Sequence, residues 1–352
     1  MEIYDLLSYM EEVKASDLHL SPNNPPIYRI DGELVKTKQD PLLPDDVHLL
    51  VFDIMSDDHR KRYEEELEID FSAEFHGIGR FRVNVFRSYH GDAVVFRAIT
   101  DYTYSFEELG LPKVLKKLCL QDQGLILITG PTGCGKTTTL NTVIEYINDV
   151  KRKHIITIED PVEYIHKSRK SLVTHREVGV NTHSFANALR SALREDPDVI
   201  VVGEMRDMET TSLAISAAET GHLVFGTLHT MDAPHTIDRV IDQFPPIQQN
   251  QIRLMASESI IGVITQRLLK RRVGGRVAAF EILIGIPAVS NLIREGKTYQ
   301  LPSVIQTHSK IGMIAMQQSI EELYNQSLIT KEEMLRVETE SDRFIESISE
   351  DK

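Results

Sequence analysis

The run Leu125-Ile126-Leu127-Ile128-Thr129-Gly130-Pro131-Thr132-Gly133-Cys134-Gly135-Lys136-Thr137-Thr138 decides the fold. Its first five residues are an unbroken apolar stretch, as a parallel strand buried on both faces requires. From Gly130 the chain reads G-x-x-x-x-G-K-T, the pattern of a phosphate-binding loop. Leu140, Val143, Ile144 and Ile147 then recur at helical spacing. Strand, glycine loop and helix together form the setting in which this pattern binds phosphate. A glycine-rich turn that binds nothing is the bland alternative, and the match in register between a strand and a helix argues against it. The residues expected around nucleotide are Gly130, Pro131, Thr132, Gly133, Cys134, Gly135, Lys136, Thr137 and Thr138. The glycines let backbone N–H groups approach phosphate, and the helix N-terminus adds partial positive charge. Lys136 reaches the outer phosphates and the Thr137 hydroxyl can ligate Mg²⁺, so ATP and Mg²⁺ are the expected cofactors.

Downstream, apolar strands alternate with helical stretches. Residues 154–158, 199–202 and 222–227 are strand candidates, so residues 124–245 predict a doubly wound nucleotide-binding domain. Ligands of such sheets bind beyond the carboxyl ends of the strands. Three groups are expected at that rim: Glu159-Asp160-Pro161-Val162-Glu163, Gly203-Glu204, and Gly226-Thr227-Leu228-His229-Thr230. Hydrolysis of a γ-phosphate needs one carboxylate in the metal shell and another to orient water. Glu204 fits the first role, beside Thr137, and Glu163 or Glu159 the second. His229 is placed to sense the γ-phosphate. A strand-end acid facing water is the bland alternative for Glu204, disfavoured by a phosphate loop in the same sheet. His222 lacks further ligands at zinc-site spacing and suits a structural role. A helix is expected over residues 184–194, with Arg190 and Arg194 either functional or paired to Glu195 or Asp196.

Residues 1–100 have a different texture. Ile3, Leu6, Leu7, Met10 and Val13 mark an amphipathic helix, and residues 45–67 a charged helical stretch. Strands are expected at 16–20, 27–30, 34–35, 69–75, 80–87 and 93–99, with a hairpin turn at Asp31-Gly32-Glu33. This is a small α+β domain. In Arg80-Phe81-Arg82-Val83-Asn84-Val85 the alternation puts Arg82 opposite the apolar face. Arg97 lies in the next strand of that series. Both suit either local ion pairs or an arginine patch that neutralises phosphate. Residues 101–123 form a connector with a short helix, 246–338 a mainly helical part of the ATPase domain, and 339–352 a polar tail.

The chain has 352 residues, 41% of them hydrophobic, enough for two cored domains. A net charge of −14 opposes a broad nucleic-acid footprint. The two cysteines, Cys119 and Cys134, form no C-x-x-C unit, and Cys134 in the phosphate loop suits a reducing compartment. The acidic start lacks the basic flank of a signal peptide, and no apolar run reaches bilayer length. A cytoplasmic protein without direct membrane insertion is expected.

Three motifs together resemble the secretion ATPases of type II and type IV pilus systems, most of all their pilus-retraction members: Ile158-Glu159-Asp160-Pro161-Val162-Glu163-Tyr164, Asp196-Pro197-Asp198-Val199-Ile200-Val201-Val202-Gly203-Glu204-Met205-Arg206-Asp207 and Thr220-Gly221-His222 through Thr230. Ala15-Ser16-Asp17-Leu18-His19-Leu20 and Gly79-Arg80-Phe81-Arg82-Val83-Asn84 extend the resemblance over nearly the whole chain. It implies a PAS-like N-terminal domain, a RecA-like P-loop ATPase domain with a helical C-terminal region, and a homohexameric ring. It implies that Glu163 is the catalytic glutamate, that Glu204 is the Walker B acid, and that Arg82 and Arg97 close over phosphate. The implied activity is ATP hydrolysis coupled to pilus retraction, that is, pilin depolymerisation and twitching motility. The implied partners are the inner-membrane platform protein at the pilus base and, indirectly, the pilin. Accessory retraction, pilus assembly or type II secretion, and nucleic-acid translocation are the competing functions. The assembly enzymes carry a four-cysteine zinc subdomain that two cysteines cannot build. Two positions depart from the pattern: Gln123 where the family often has arginine, and Ser290 in Ala288-Val289-Ser290-Asn291-Leu292-Ile293-Arg294-Glu295, where retraction members have arginine.

Overall fold

A computed structural model describes residues 2–30, 32–99 and 102–337. The expected polar tail and the hairpin residue Asp31 lie outside these. The chain divides into two compact units: Met1–Tyr102 with Pro161–Ile165, and Thr103–Asp160 with the chain from His166 onward.

In the first unit, β1 (Asp17–Leu20), β2 (Ile27–Ile30), β3 (Glu33–Lys36), β4 (Glu68–Phe75), β5 (Gly79–Ser88) and β6 (Gly91–Ile99) pair in the order β3-β2-β1-β6-β5-β4, all antiparallel. Strand alternation buries Phe81, Val83 and Val85 completely and leaves Arg80, Arg82 and Asn84 on the other face. The core is closed by Leu6, Leu7 and Met10 of the helix Ile3–Glu12, Val47 and Val51 of Pro44–Asp53, and Tyr63 of Asp57–Glu66. The charged stretch 45–67 is therefore two helices. The Ser56 hydroxyl accepts the His59 N–H and starts the second one afresh. Asp92, 4% exposed, is held by the Tyr63 hydroxyl at 2.6 Å, His48 Nδ1 at 2.7 Å and Arg87 Nε at 3.0 Å.

In the second unit a seven-stranded sheet has the order β13-β12-β7-β11-β10-β8-β9. Its strands are β7 (Gly124–Thr129), β8 (His154–Glu159), β9 (Leu172–Glu177), β10 (Val199–Val202), β11 (Leu223–Leu228), β12 (Ile260–Lys270) and β13 (Arg276–Ile284). All neighbours are parallel except β12 with β13. Helices cover both faces. Leu125 and Leu127 of β7 pack in one core with Phe185–Ala192, Met208–Glu219 and Ala233–Asp242; Ile126 and Ile128 pack in the other with Lys136–Val150. This is the mixed α/β architecture that the alternating strands and helices predict. Among the helices expected after Pro246 lie β12 and β13, which the hydrophobic pattern did not separate from helix. The helix Pro246–Ser259 runs straight into β12 at Ile260 with no intervening turn residue. Parallel pairing brings the ends of β7, β8, β10 and β11 to one rim.

Candidate active site

At the end of β7, Gly130 turns at φ +138°, and a Cβ there would collide with the Gln266 carbonyl oxygen and lie 2.7 Å from Cys134 Sγ. Gly135, at φ +91°, is the N-cap of the helix Lys136–Val150. Any side chain at these two positions strains the loop. Lys136 Nζ donates to the carbonyls of Gly130 at 2.8 Å and Pro131 at 3.1 Å, and faces His229 Nδ1 at 3.3 Å. Burial pulls its pKa below the ordinary lysine value, opposed by the charges of Cys134 and Glu204.

Glu204 follows β10 through Gly203. Its Oε1 lies 3.2 Å from His229 Nε2 and its Oε2 2.7 Å from Arg206 Nη2. Burial alone raises its carboxyl; the hydrogen bonds from Arg206 and His229 and the charge of Arg206 outweigh it and hold the group below the usual glutamate range. An ammonium only donates, so His229 Nδ1 accepts from Lys136 and the imidazole proton sits on Nε2, toward Glu204. Lys136, His229 and Glu204 thus form one continuous chain. The loop carrying Glu204 is fixed to β11: the Thr227 hydroxyl donates to the Gly203 carbonyl, and the Met205 N–H donates to the Thr227 carbonyl at 3.0 Å.

The donors suit a nucleoside triphosphate with a hard cation. A loop with no room for a Cβ at Gly130 or Gly135, a helix N-terminus and an ammonium provide for phosphate. A hydroxyl at Thr137 and an ionised carboxylate at Glu204 provide oxygen ligands of the kind Mg²⁺ takes.

Sequence reasoning missed Gln266. Its carboxamide, 3% exposed, donates to the Cys134 carbonyl at 2.7 Å and accepts from Thr139 Oγ1 at 2.7 Å. One side chain of β12 therefore ties the phosphate loop to the helix that follows it. Only the pairing of β12 beside β7 brings it there, so no local pattern signals it.

Of the two candidate bases, Glu159 ends β8, with Oε1 3.8 Å from His175 Nδ1. Glu163 falls in Pro161–Ile165, the segment that groups with the N-terminal unit. Within that unit Arg82 and Arg97 stand directly opposite each other on β5 and β6. Arg82 holds Asp70 through two nitrogens, with Nε 2.9 Å from Oδ2, and Arg97 Nε donates to Asp17 Oδ1 at 2.8 Å. Asp17, 4% exposed, is a second residue that sequence reasoning missed, and it aims Arg97. Burial raises the Asp17 carboxyl, but bonds from Ser16 and Arg97 bring it below its ordinary value. His222 Nδ1 donates to the Ala217 carbonyl at 2.9 Å, a structural histidine at the end of the helix Met208–Glu219. Arg190 pairs with Glu209 of that helix, not with Glu195 or Asp196. No helix among the described residues is long and apolar enough to cross a membrane.

A strand, phosphate loop and helix beside a strand-end glutamate and histidine define a P-loop ATPase class, and comparison with known proteins narrows it. A model of the Type II/IV secretion system protein family matches residues 3–336, and the chain belongs to that family. It is 52% identical over 332 residues to the type IV pilus retraction ATPase PilT of Pseudomonas aeruginosa, covering 94% of this chain and 96% of that one. It is 38% identical over 336 residues to the type IV pilus ATPase PilU of the same organism, covering 95% of this chain and 88% of that one. The solved structure of the pilus retraction motor PilT with bound ADP superposes with a TM-score of 0.89 at 49% identity, covering 96% of each chain.

Proposed function

We propose that this protein is a Mg²⁺-dependent ATPase that works as a homohexameric motor for type IV pilus retraction. The observation that carries the proposal is the chain from Lys136 through His229 to Glu204 at the mouth of the phosphate loop. A phosphate oxygen arriving at Lys136 competes with the Gly130 and Pro131 carbonyls and with His229 Nδ1. Nucleotide occupancy therefore reaches His229 and Glu204 through one ammonium group. Thr137 and Glu204 would hold Mg²⁺, which would neutralise phosphate charge. Glu163 orients the attacking water. Arg82 and Arg97 exchange Asp70 and Asp17 for phosphate, which would make their ion pairs a resting state and not their whole role. The 52% identity to a retraction ATPase favours retraction, with the platform protein of the pilus base as partner at the cytoplasmic side of the inner membrane and the pilin reached through it.

The test is phosphate release with and without Mg²⁺ by the wild type, Lys136→Ala and Glu204→Ala. Loss in both variants and without the metal supports the assignment; turnover near wild type in either variant removes it. Accessory retraction stays a second function because Ser290 replaces the arginine of the retraction motif. Ser290 is half-buried in the helix Pro287–Arg294, whose core side is made by Val289 and Ile293. Ser290→Arg is therefore expected to leave folding and ATP turnover unchanged, so a difference in pilus retraction would belong to that position alone.

A further inference from the structure

The segment Pro161–Ile165, which carries Glu163, enters from Glu159 and leaves at His166. Both of these residues meet the same side chain. His175, on β9, receives the His166 backbone N–H on Nε2 at 3.0 Å, and its ring stacks on the His166 ring at 5.6 Å and 11°. Because Nε2 accepts, the imidazole proton is on Nδ1, where it is donated to Thr157 Oγ1 at 2.8 Å, with Glu159 Oε1 3.8 Å away. Behind this, His166 Nδ1 lies 2.6 Å from Glu145 Oε1, in the helix that begins at Lys136, and Arg169 Nη2 lies 3.0 Å from the other carboxylate oxygen. The set is buried: the side chains of His166, Glu145, Glu159 and His175 are 1%, 9%, 12% and 16% exposed. A surface histidine decorating a strand would have no such arrangement. A ring with one nitrogen on Thr157 of β8, two residues before the segment's entry at Glu159, and the other nitrogen and one face on His166 at its exit is a clasp.

We propose that His175 is a positioning residue for the water-orienting carboxylate, closing the base of the segment that carries Glu163 by joining Thr157 of β8, just before its entry, to His166 at its exit. The inference rests on the assignment of Glu163 above. It adds that the end of β8, held at Thr157, serves as the anchored foot of the segment, and that Glu159 is not the base. The His166–Glu145 contact joins that foot to the helix whose first residue is the phosphate lysine. The clasp would then be set on the same element that meets nucleotide.

The test is single-turnover phosphate release and ATP affinity for His175→Leu, His175→Asn and His175→Gln, each with and without Glu163→Gln. Misplacing a catalytic group by about 1 Å costs roughly 100-fold, so His175→Leu is expected to lower kcat about 10- to 100-fold with ATP affinity within about twofold. A glutamine can place an acceptor near the position of Nε2 and an asparagine near Nδ1. His175→Gln should therefore recover most of the rate and His175→Asn should not. In Glu163→Gln the leucine substitution should cost less than about twofold more, since its route to the chemistry is already removed. An equal loss in both backgrounds, an unchanged rate in His175→Leu, or a glutamine variant as slow as the leucine one would each overturn the clasp. If His175→Leu does not fold, as an absent nucleotide affinity would show, the comparison of glutamine with asparagine decides alone. Normal turnover in Glu163→Gln by itself would instead remove the assignment of the base.

Discussion

With Lys136 confined to donating, His229 accepts on Nδ1 and turns Nε2 toward Glu204, so the three side chains form a unit. Removing any of them takes one hydrogen-bond partner from a neighbour in the chain. Lys136→Ala and Glu204→Ala are each expected to lower ATP turnover by at least about 100-fold, as losses of charge-stabilising groups do. His229→Ala should retain nucleotide affinity better than Lys136→Ala, because the ammonium and not the imidazole meets phosphate; equilibrium binding of a fluorescent ATP analogue checks the order. The phosphate loop was legible in the sequence because its chemistry is local: eight consecutive positions between a strand and a helix. Glu204 and His229 were legible because each follows an apolar run ending at the rim. Gln266, Asp17 and His175 were not, because each acts across a strand pairing or on a segment distant in sequence. The bond from Lys136 to His229 spans 93 positions and has no sequence signature at all.

At the scale of elements, β12 does two things: it closes the sheet beside β7 and supplies the Gln266 carboxamide. Gln266→Leu is expected to keep the strand but release the loop, raising the KM for ATP with a smaller effect on stability; a Tm loss without a KM change would contradict this. The strands of the second half escaped the sequence pattern for a physical reason. Ile260 to Leu269 are as apolar as a buried helix, and the preceding helix ends without glycine or proline, so neither period nor punctuation marks the change. The split at Ser56 was readable in principle, since Ser56-Asp57-Asp58 is a helix start.

Two carboxylates, Asp92 buried and Glu281 half-buried, give opposite pH behaviour. For Asp92, burial raises the carboxyl, but the bonds from Tyr63, His48 and Arg87 outweigh it and hold it below its ordinary value. Its contribution to stability is thus present above the ordinary carboxylate range and lost as pH falls through the lower folded-state value. Asp92→Asn should cost about 2–3 kcal/mol at pH 7 and less at acid pH. Glu281 on β13 accepts the Ala233 N–H at 2.8 Å, and burial pushes its carboxyl up to about 7. The unfolded chain ionises first as pH rises, so the group destabilises the fold increasingly from its ordinary value up to about 7. Glu281→Gln should therefore raise Tm more at pH 8 than at pH 5. Thermal melts of both variants across that range separate the two signs.

The whole molecule carries a net charge of −14, which disfavours a polyanion as cargo and suits a protein partner. If the protein works as a ring, its specific activity depends on assembly, and turnover per chain should rise with protein concentration to a plateau that light scattering matches to a hexamer. Family membership accounts for the architecture, while coupling between subunits is what would make the ATPase a motor. Phosphate release from rings assembled out of defined mixtures of wild-type and Glu163→Gln chains tests that coupling and the catalytic carboxylate together. The total rate is expected to fall more steeply than the wild-type fraction, because one stalled subunit halts its neighbours; a rate strictly proportional to the wild-type fraction, or one that does not fall, would contradict it.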